Sequence, residues 1–149
     1  MQILYKIAQF SAPITDLVTI YISYVRSILE QSCTIWHSGL TKDDSSNLER
    51  VQKCAVKIIL GNSYSTYLEG LETLMLSTLA KRREKLCLKF AKQCAENPLT
   101  KDLFPLCENT HMTTRSGQKY KVVYANTERL KNSPVPYLQR LLNLHYKKS

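Results

Sequence analysis

Residues 41–62 read TKDDSSNLERVQKCAVKIILGN, and both ends of one long helix are written into them. At 100° per residue, Leu48, Val51, Ala55, Ile58 and Ile59 line one side, while Arg50, Lys53 and Lys57 fall opposite within an arc of about 60°. Thr41 is the candidate N-cap. Asp44, three residues on, occupies the capping-box position, and the acidic pair Asp43-Asp44 suits the positive end of the helix dipole. Gly61-Asn62 supplies a C-cap. The pattern predicts a helix from Lys42 to Leu60 with its cations in water.

The neighbouring segments follow the same logic. From Ile14 to Leu29 the apolar residues alternate in places, which favours a strand, but Asp16, Thr19, Ser23, Arg26, Ser27 and Glu30 share a helical arc of roughly 100° that a strand would scatter over both faces. A helix with a wide apolar face is therefore expected, packed by several neighbours. A third helix is expected from Thr78 to Glu96, with Leu79, Leu86, Phe90 and Cys94 inward, and Lys81, Arg82, Lys85, Lys89 and Lys92 sharing an arc of roughly 100°. Asn97-Pro98 ends it. Arg83 falls in the middle of the apolar arc. It is read either as a first-turn arginine laying its methylenes on the core with its guanidinium reaching solvent or an acidic partner, or as one half of a specific buried pair with Glu72 or Glu69.

Tyr64 to Ser77 reads as a shorter helix around Leu68 and Leu71 with a loop after it. Thr110 to Lys121, containing Gly117, reads as a flexible loop. YKVVYA (Tyr120 to Ala125) suits either a short strand or an extended arm. Ser133-Pro134 then offers an N-cap and first-turn proline to a final helix carrying Val135, Leu138, Leu141 and Leu142. The expected fold class is all-α: a compact bundle of about four to six helices over residues 1–108, with a looser C-terminal arm and terminal helix over 109–149 packed on it.

With 149 residues the chain suits one domain with a real core. Its formal charge of +9 points to an anionic partner without choosing between nucleic acid, membrane surface and acidic protein. The apolar stretch from Ile14 to Leu29 contains Asp16 and Arg26 and falls short of the roughly 20 residues a bilayer requires, so no membrane role is expected. Cys33, Cys54, Cys87, Cys94 and Cys107 form no C-x-x-C pair, and an odd number without a signal peptide points to reduced thiols in cytoplasm or nucleus. Cys33 and His37 could share a helical face, yet two ligands do not make a zinc site. Trp36, beside His37 and Ser38, reads as a helix-end aromatic closing the bundle. His111 and His145 have no nucleophile arrangement nearby. The four glycines show no phosphate-loop or dinucleotide spacing. No cofactor, metal or catalytic residue is expected.

Residues 24–61, YVRSILEQSCTIWHSGLTKDDSSNLERVQKCAVKIILG, together with LAKRREKLCLKF at 79–90, resemble the region just after the catalytic domain in reverse transcriptases of LINE-type (non-LTR) retrotransposons, the jockey-like and related elements. The specific pieces are Ile35-Trp36-His37, Leu48-Glu49-Arg50-Val51-Gln52-Lys53, Arg82-Arg83-Glu84-Lys85-Leu86 and Asn126-Thr127-Glu128-Arg129, in family order and at roughly family spacing. The resemblance extends from near Leu4 through NTERLKNSPVPYLQRLLN. Ser27 departs from it where the family often has proline, as does Ala80 where an acidic residue often precedes the paired arginines. It implies a thumb position, touching the primer-template without performing the chemistry. Polymerase chemistry needs clustered carboxylates to hold two divalent ions, which the family places in a palm motif of the type aromatic-Ala-Asp-Asp. Here the only adjacent acidic pair is Asp43-Asp44, in a helix-start context.

Two function classes follow. One is a non-catalytic nucleic-acid-binding module whose cations Arg50, Lys53, Lys57, Lys81, Arg82, Lys85, Lys89 and Lys92 contact the phosphates of an RNA or DNA duplex. The other is an inert or protein-interaction helical module derived from a retroelement.

Overall fold

The computed structural model describes residues 2–10, 12–107 and 118–146. Among these the fold is all-α, as expected: α1 (Gln2–Gln9), α2 (Ile14–Ile20), a π-helical segment (Tyr21–Arg26), α3 (Ser27–Glu30), α4 (Cys33–Trp36), α5 (Lys42–Leu60), α6 (Tyr67–Thr73), α7 (Leu79–Glu96), α8 (Glu128–Lys131) and α9 (Pro134–Tyr146). Single turns of 3-10 helix at His37–Gly39, Gly61–Ser63 and Lys101–Leu103 join some of them. The longer elements expected are thus accompanied by short ones, and the elements outnumber four to six. No strand forms among the described residues; Leu106 and Tyr120 make one isolated antiparallel bridge.

Two compact units divide the chain. Unit 1 is Met1–Ser32 with Leu40–Arg83, and unit 2 is Cys33–Gly39 with Glu84–Ser149. The division falls inside α7, so the expected boundary near residue 108 does not coincide with it.

In unit 1, α5 has the predicted ends. Thr41 Oγ1 accepts from the Asp44 amide at 3.1 Å, and the Asp44 carboxylate accepts from the Thr41 amide, completing a capping box that contributes about 1 kcal/mol. Gly61 closes the helix at φ 50°, a left-handed value only glycine adopts without strain, and its amide bonds the Lys57 carbonyl. The buried stripe is rotated from the expected one: Gln52, Ala55, Val56, Ile59 and Leu60 are buried, whereas Leu48, Val51 and Ile58 are only partly covered. Ala55, Val56, Ile59 and Leu60 form the core with Leu4 of α1, Leu17, Tyr21, Leu71 of α6 and Leu74. α6 can approach α5 because Gly70 lacks a side chain; a Cβ there would lie 2.6 Å from Val56 Cγ1.

The helical reading of Ile14 to Leu29 holds, but its periodicity does not. Through the π-helical segment each turn takes one residue more, so the 100° spacing fails there. Tyr21 turns fully inward, while Tyr24 and Ile28 are left 69% and 71% exposed. Part of the expected apolar face is therefore left open to solvent.

In α7 the buried residues follow an i, i+4 line: Leu79 and Arg83 in unit 1, then Cys87 and Ala91 in unit 2. Phe90, expected inside, is 40% exposed, and Leu86 is half-buried. α6 runs from Tyr67 to Thr73, capped by Thr66, with Leu71 buried but Leu68 exposed.

Unit 2 has its own core of Cys87, Ala91, Phe104, Leu138, Leu141 and Leu142. α9 begins at Pro134, whose missing amide costs nothing at a helix start. Tyr120 to Ala125 forms no strand beyond the single bridge at Tyr120; two buried side-chain amides of α9 hold the segment. Asn143 Oδ1 accepts from the Lys119 and Tyr120 amides, its Nδ2 donates to the Tyr120 carbonyl, and Gln139 Oε1 accepts from the Val123 amide. The expected loop over Thr110 to Lys121, with His111 and Gly117, lies largely outside the described residues.

Candidate nucleic-acid interface

α5 presents Arg50, Lys53 and Lys57 to water in unit 1. They sit at i, i+3 and i+7, a row about 10 Å long at 1.5 Å rise per residue. In unit 2, α7 presents Lys85, Lys89 and Lys92 at i, i+4 and i+7, all exposed, a second row of about 10 Å. Lys81 is exposed on the first turn of α7, within unit 1. Among the described residues the ion pairs are Arg26–Glu30, Arg82–Glu30 and Lys131–Glu128, so neither row is neutralised by a carboxylate. Lys57 Nζ does rest 5.3 Å from the centre of the Tyr64 ring.

Each row therefore holds like charges one helical turn apart: Arg50 with Lys53, Lys53 with Lys57, Lys85 with Lys89, Lys89 with Lys92. Such pairs cost about 0.2–0.5 kcal/mol apiece at low salt, roughly 1–2 kcal/mol together. A polyanion laid along a row would remove that repulsion.

Arg82 is different. Its Nε bonds Glu30 Oε1, and Arg26 Nε approaches the same oxygen at 3.9 Å. The Arg26 and Glu30 side chains are only 13% and 10% exposed. Burial, with the nearby positive charge of Arg82, lowers the Arg26 pKa from its ordinary value. Of the eight cations singled out from the sequence, Arg82 is thus committed to an internal clamp.

Arg83 also departs from its reading. It is 0% exposed and its Nη2 donates to Ser45 Oγ at 3.0 Å; its guanidinium does not reach solvent.

The sequence reading missed a polar network at the centre of unit 1. Tyr21 donates its hydroxyl to Gln52 Oε1 at 2.6 Å, and Gln52 Nε2 donates to the Tyr67 hydroxyl and to the Ser77 carbonyl, both at 3.0 Å. Tyr67 donates to Glu49. The two Glu49 oxygens accept from the Leu79 amide at 3.2 and 3.1 Å, placing a carboxylate at the positive N-terminus of α7. Burial first, with the Glu30 and Glu49 charges as lesser contributors and against the opposing Arg26 and Arg82 cations, pushes the Tyr21 hydroxyl pKa well above its ordinary value. Burial followed by the bond to Glu49 does the same for Tyr67. The signal was in the sequence: a glutamine within the apolar stripe of α5 needs buried partners.

Residues of the quoted motifs thus serve the architecture. Glu49 and Gln52 build the network, Arg82 and Arg83 hold internal partners, Thr127 caps α8 through the Leu130 amide, and His37 packs edge-on against Tyr137 with ring centres 5.7 Å apart. The Tyr137 hydroxyl is pushed up to about 12, by burial and then by Cys87 and Glu84. Asp43 and Asp44 lie at the start of α5, where hydrogen bonds from Thr41 hold the Asp44 carboxyl below its usual range. Among the described residues no three His, Cys, Asp or Glu side chains are grouped to hold a metal ion, and no helix is long and apolar enough to cross a membrane.

No family model, curated protein or solved structure matches the chain.

Proposed function

We propose that the chain is a non-catalytic nucleic-acid-binding module, thumb-like in the sense of the retrotransposon reverse transcriptases it resembles, working in the cytoplasm or nucleus. The carrying observation is the pair of exposed three-cation rows, Arg50, Lys53, Lys57 and Lys85, Lys89, Lys92, unneutralised by any ion pair among the described residues. Contacts of this kind grip phosphates, give little sequence preference and release counterions.

The test is duplex affinity measured across salt concentrations. Each phosphate neutralised on B-form DNA contributes a log-log slope of about −0.9. Replacing the six row cations by glutamine should flatten that slope while the helical spectrum stays unchanged. Arg82 is left in place, because removing it would unpair Glu30. An unchanged slope would refute the proposal. A second reading, a protein-interaction module, is favoured by Tyr24 and Ile28, exposed one turn apart on unit 1, and would stand if no duplex bound.

A further inference from the structure

The C-terminal arm of unit 2 has features that duplex binding leaves unused. Residues 118–125 read QKYKVVYA, lysine and tyrosine interleaved. The arm is pinned at Lys119, Tyr120, Lys121 and Val123. Beside the bonds from Asn143 and Gln139, the Cys107 amide donates to the Lys119 carbonyl at 2.9 Å and the Lys121 amide to the Pro105 carbonyl at 2.8 Å. Tyr120 anchors it, its ring edge-on to that of buried Phe104 at 6.5 Å.

Within this segment Tyr124 is 86% exposed, and Lys119 and Lys121 are exposed as well. At the other end, Tyr146 is 55% exposed, and Lys119 Nζ lies 5.3 Å from its ring centre and 5.5 Å from that of Tyr120. Aromatic faces alternating with ammonium groups match an unpaired strand, whose bases stack on rings while lysines track its phosphates. A duplex keeps its base faces covered. The pinned backbone reduces the ordering entropy that binding would otherwise cost.

We infer that Tyr124 and Tyr146, with Lys119 and Lys121, form a stacking site for single-stranded nucleic acid. The inference rests on the reading of the chain as a nucleic-acid-binding module and adds the unpaired strand to its substrates.

The probe is a fluorescent oligothymidylate of about 12 nucleotides, titrated by anisotropy against the full chain, with a hairpin duplex in parallel. Combined Tyr124→Ala and Tyr146→Ala should weaken oligothymidylate binding by at least about 30-fold and leave duplex affinity unchanged. Tyr124→Phe with Tyr146→Phe should bind as the unaltered chain does, because the stacking faces remain. Both positions are largely exposed, so circular dichroism should show an intact fold. Loss of duplex binding with tyrosine-dependent oligothymidylate binding retained would refute the duplex reading alone and uphold the stacking site. Oligothymidylate affinity indifferent to the alanine pair, or absent in the unaltered chain, would overturn the inference. So would self-association that Tyr124→Ala dissolves while oligothymidylate binding is unmoved, which would assign the arm to protein contact.

Discussion

Replacing Gln52 by leucine should destabilise unit 1 more than its similar volume suggests. The Tyr21 hydroxyl, on a 0% exposed residue, would lose its acceptor, and the Tyr67 hydroxyl and Ser77 carbonyl would lose a donor. A buried polar group left without its partner costs about 1–3 kcal/mol, and water reaches the partly buried bonds more easily than the Tyr21 end. The expected loss is about 2–5 kcal/mol, a large share of the roughly 5–15 kcal/mol that holds a typical domain together. Tyr21→Phe removes only the other end of the 2.6 Å bond and should cost about 1–3 kcal/mol. Combined, the two substitutions abolish one bond rather than two, so the double variant should be more stable than the sum of the single losses implies by about 1 kcal/mol or more. Urea unfolding of all four chains by circular dichroism supplies the cycle. Losses that add to within about 0.5 kcal/mol would refute the argument that Tyr21 and Gln52 depend on each other.

Gly70→Ala gains roughly 1 kcal/mol in helix propensity, yet places a methyl 2.6 Å from the stiff, β-branched Val56; overpacking at about 1–3 kcal/mol should prevail and lower the melting temperature, and a rise would contradict the close approach of α6 to α5. The tyrosine network fixes an alkaline limit: with the Tyr21 and Tyr67 pKa values raised in the fold, the unfolded chain loses those protons first, so stability present below about pH 10 should fall as pH rises beyond it. Tyr21→Phe should shallow that decline in pH-dependent melting, and an unaltered decline would contradict it. At the acid end, the lowered Asp44 pKa contributes stability above the usual carboxylate range that fades as pH falls through the lower folded value; Thr41→Val should remove that part of the acid profile.

The ends of α5 were readable because a capping box and a left-handed glycine act within a few residues of themselves. The outward direction of Arg50, Lys53, Lys57, Lys85, Lys89 and Lys92 was readable too, since charge clustered on one arc of a helix has nowhere drier to go. What escaped depends on partners far along the chain. Arg82 meets Glu30 across 52 positions and Arg83 meets Ser45 across 38, separations that no local pattern encodes. The π-helical turn at Tyr21–Arg26 shifts the register of everything after it, which is why Tyr24 and Ile28 emerge where a regular helix would tuck them in. Gln52 was visible as a polar residue among apolar ones, but its role needed Tyr21, Tyr67 and Ser77 to be brought beside it.

Lysine acetylation read by mass spectrometry, with and without saturating duplex at low salt, tests the cationic rows residue by residue. Lys53, Lys57, Lys85, Lys89 and Lys92 should be protected by the duplex, while Lys131, paired with Glu128, should react equally in both samples. Equal modification of the five row lysines with and without duplex would contradict the account.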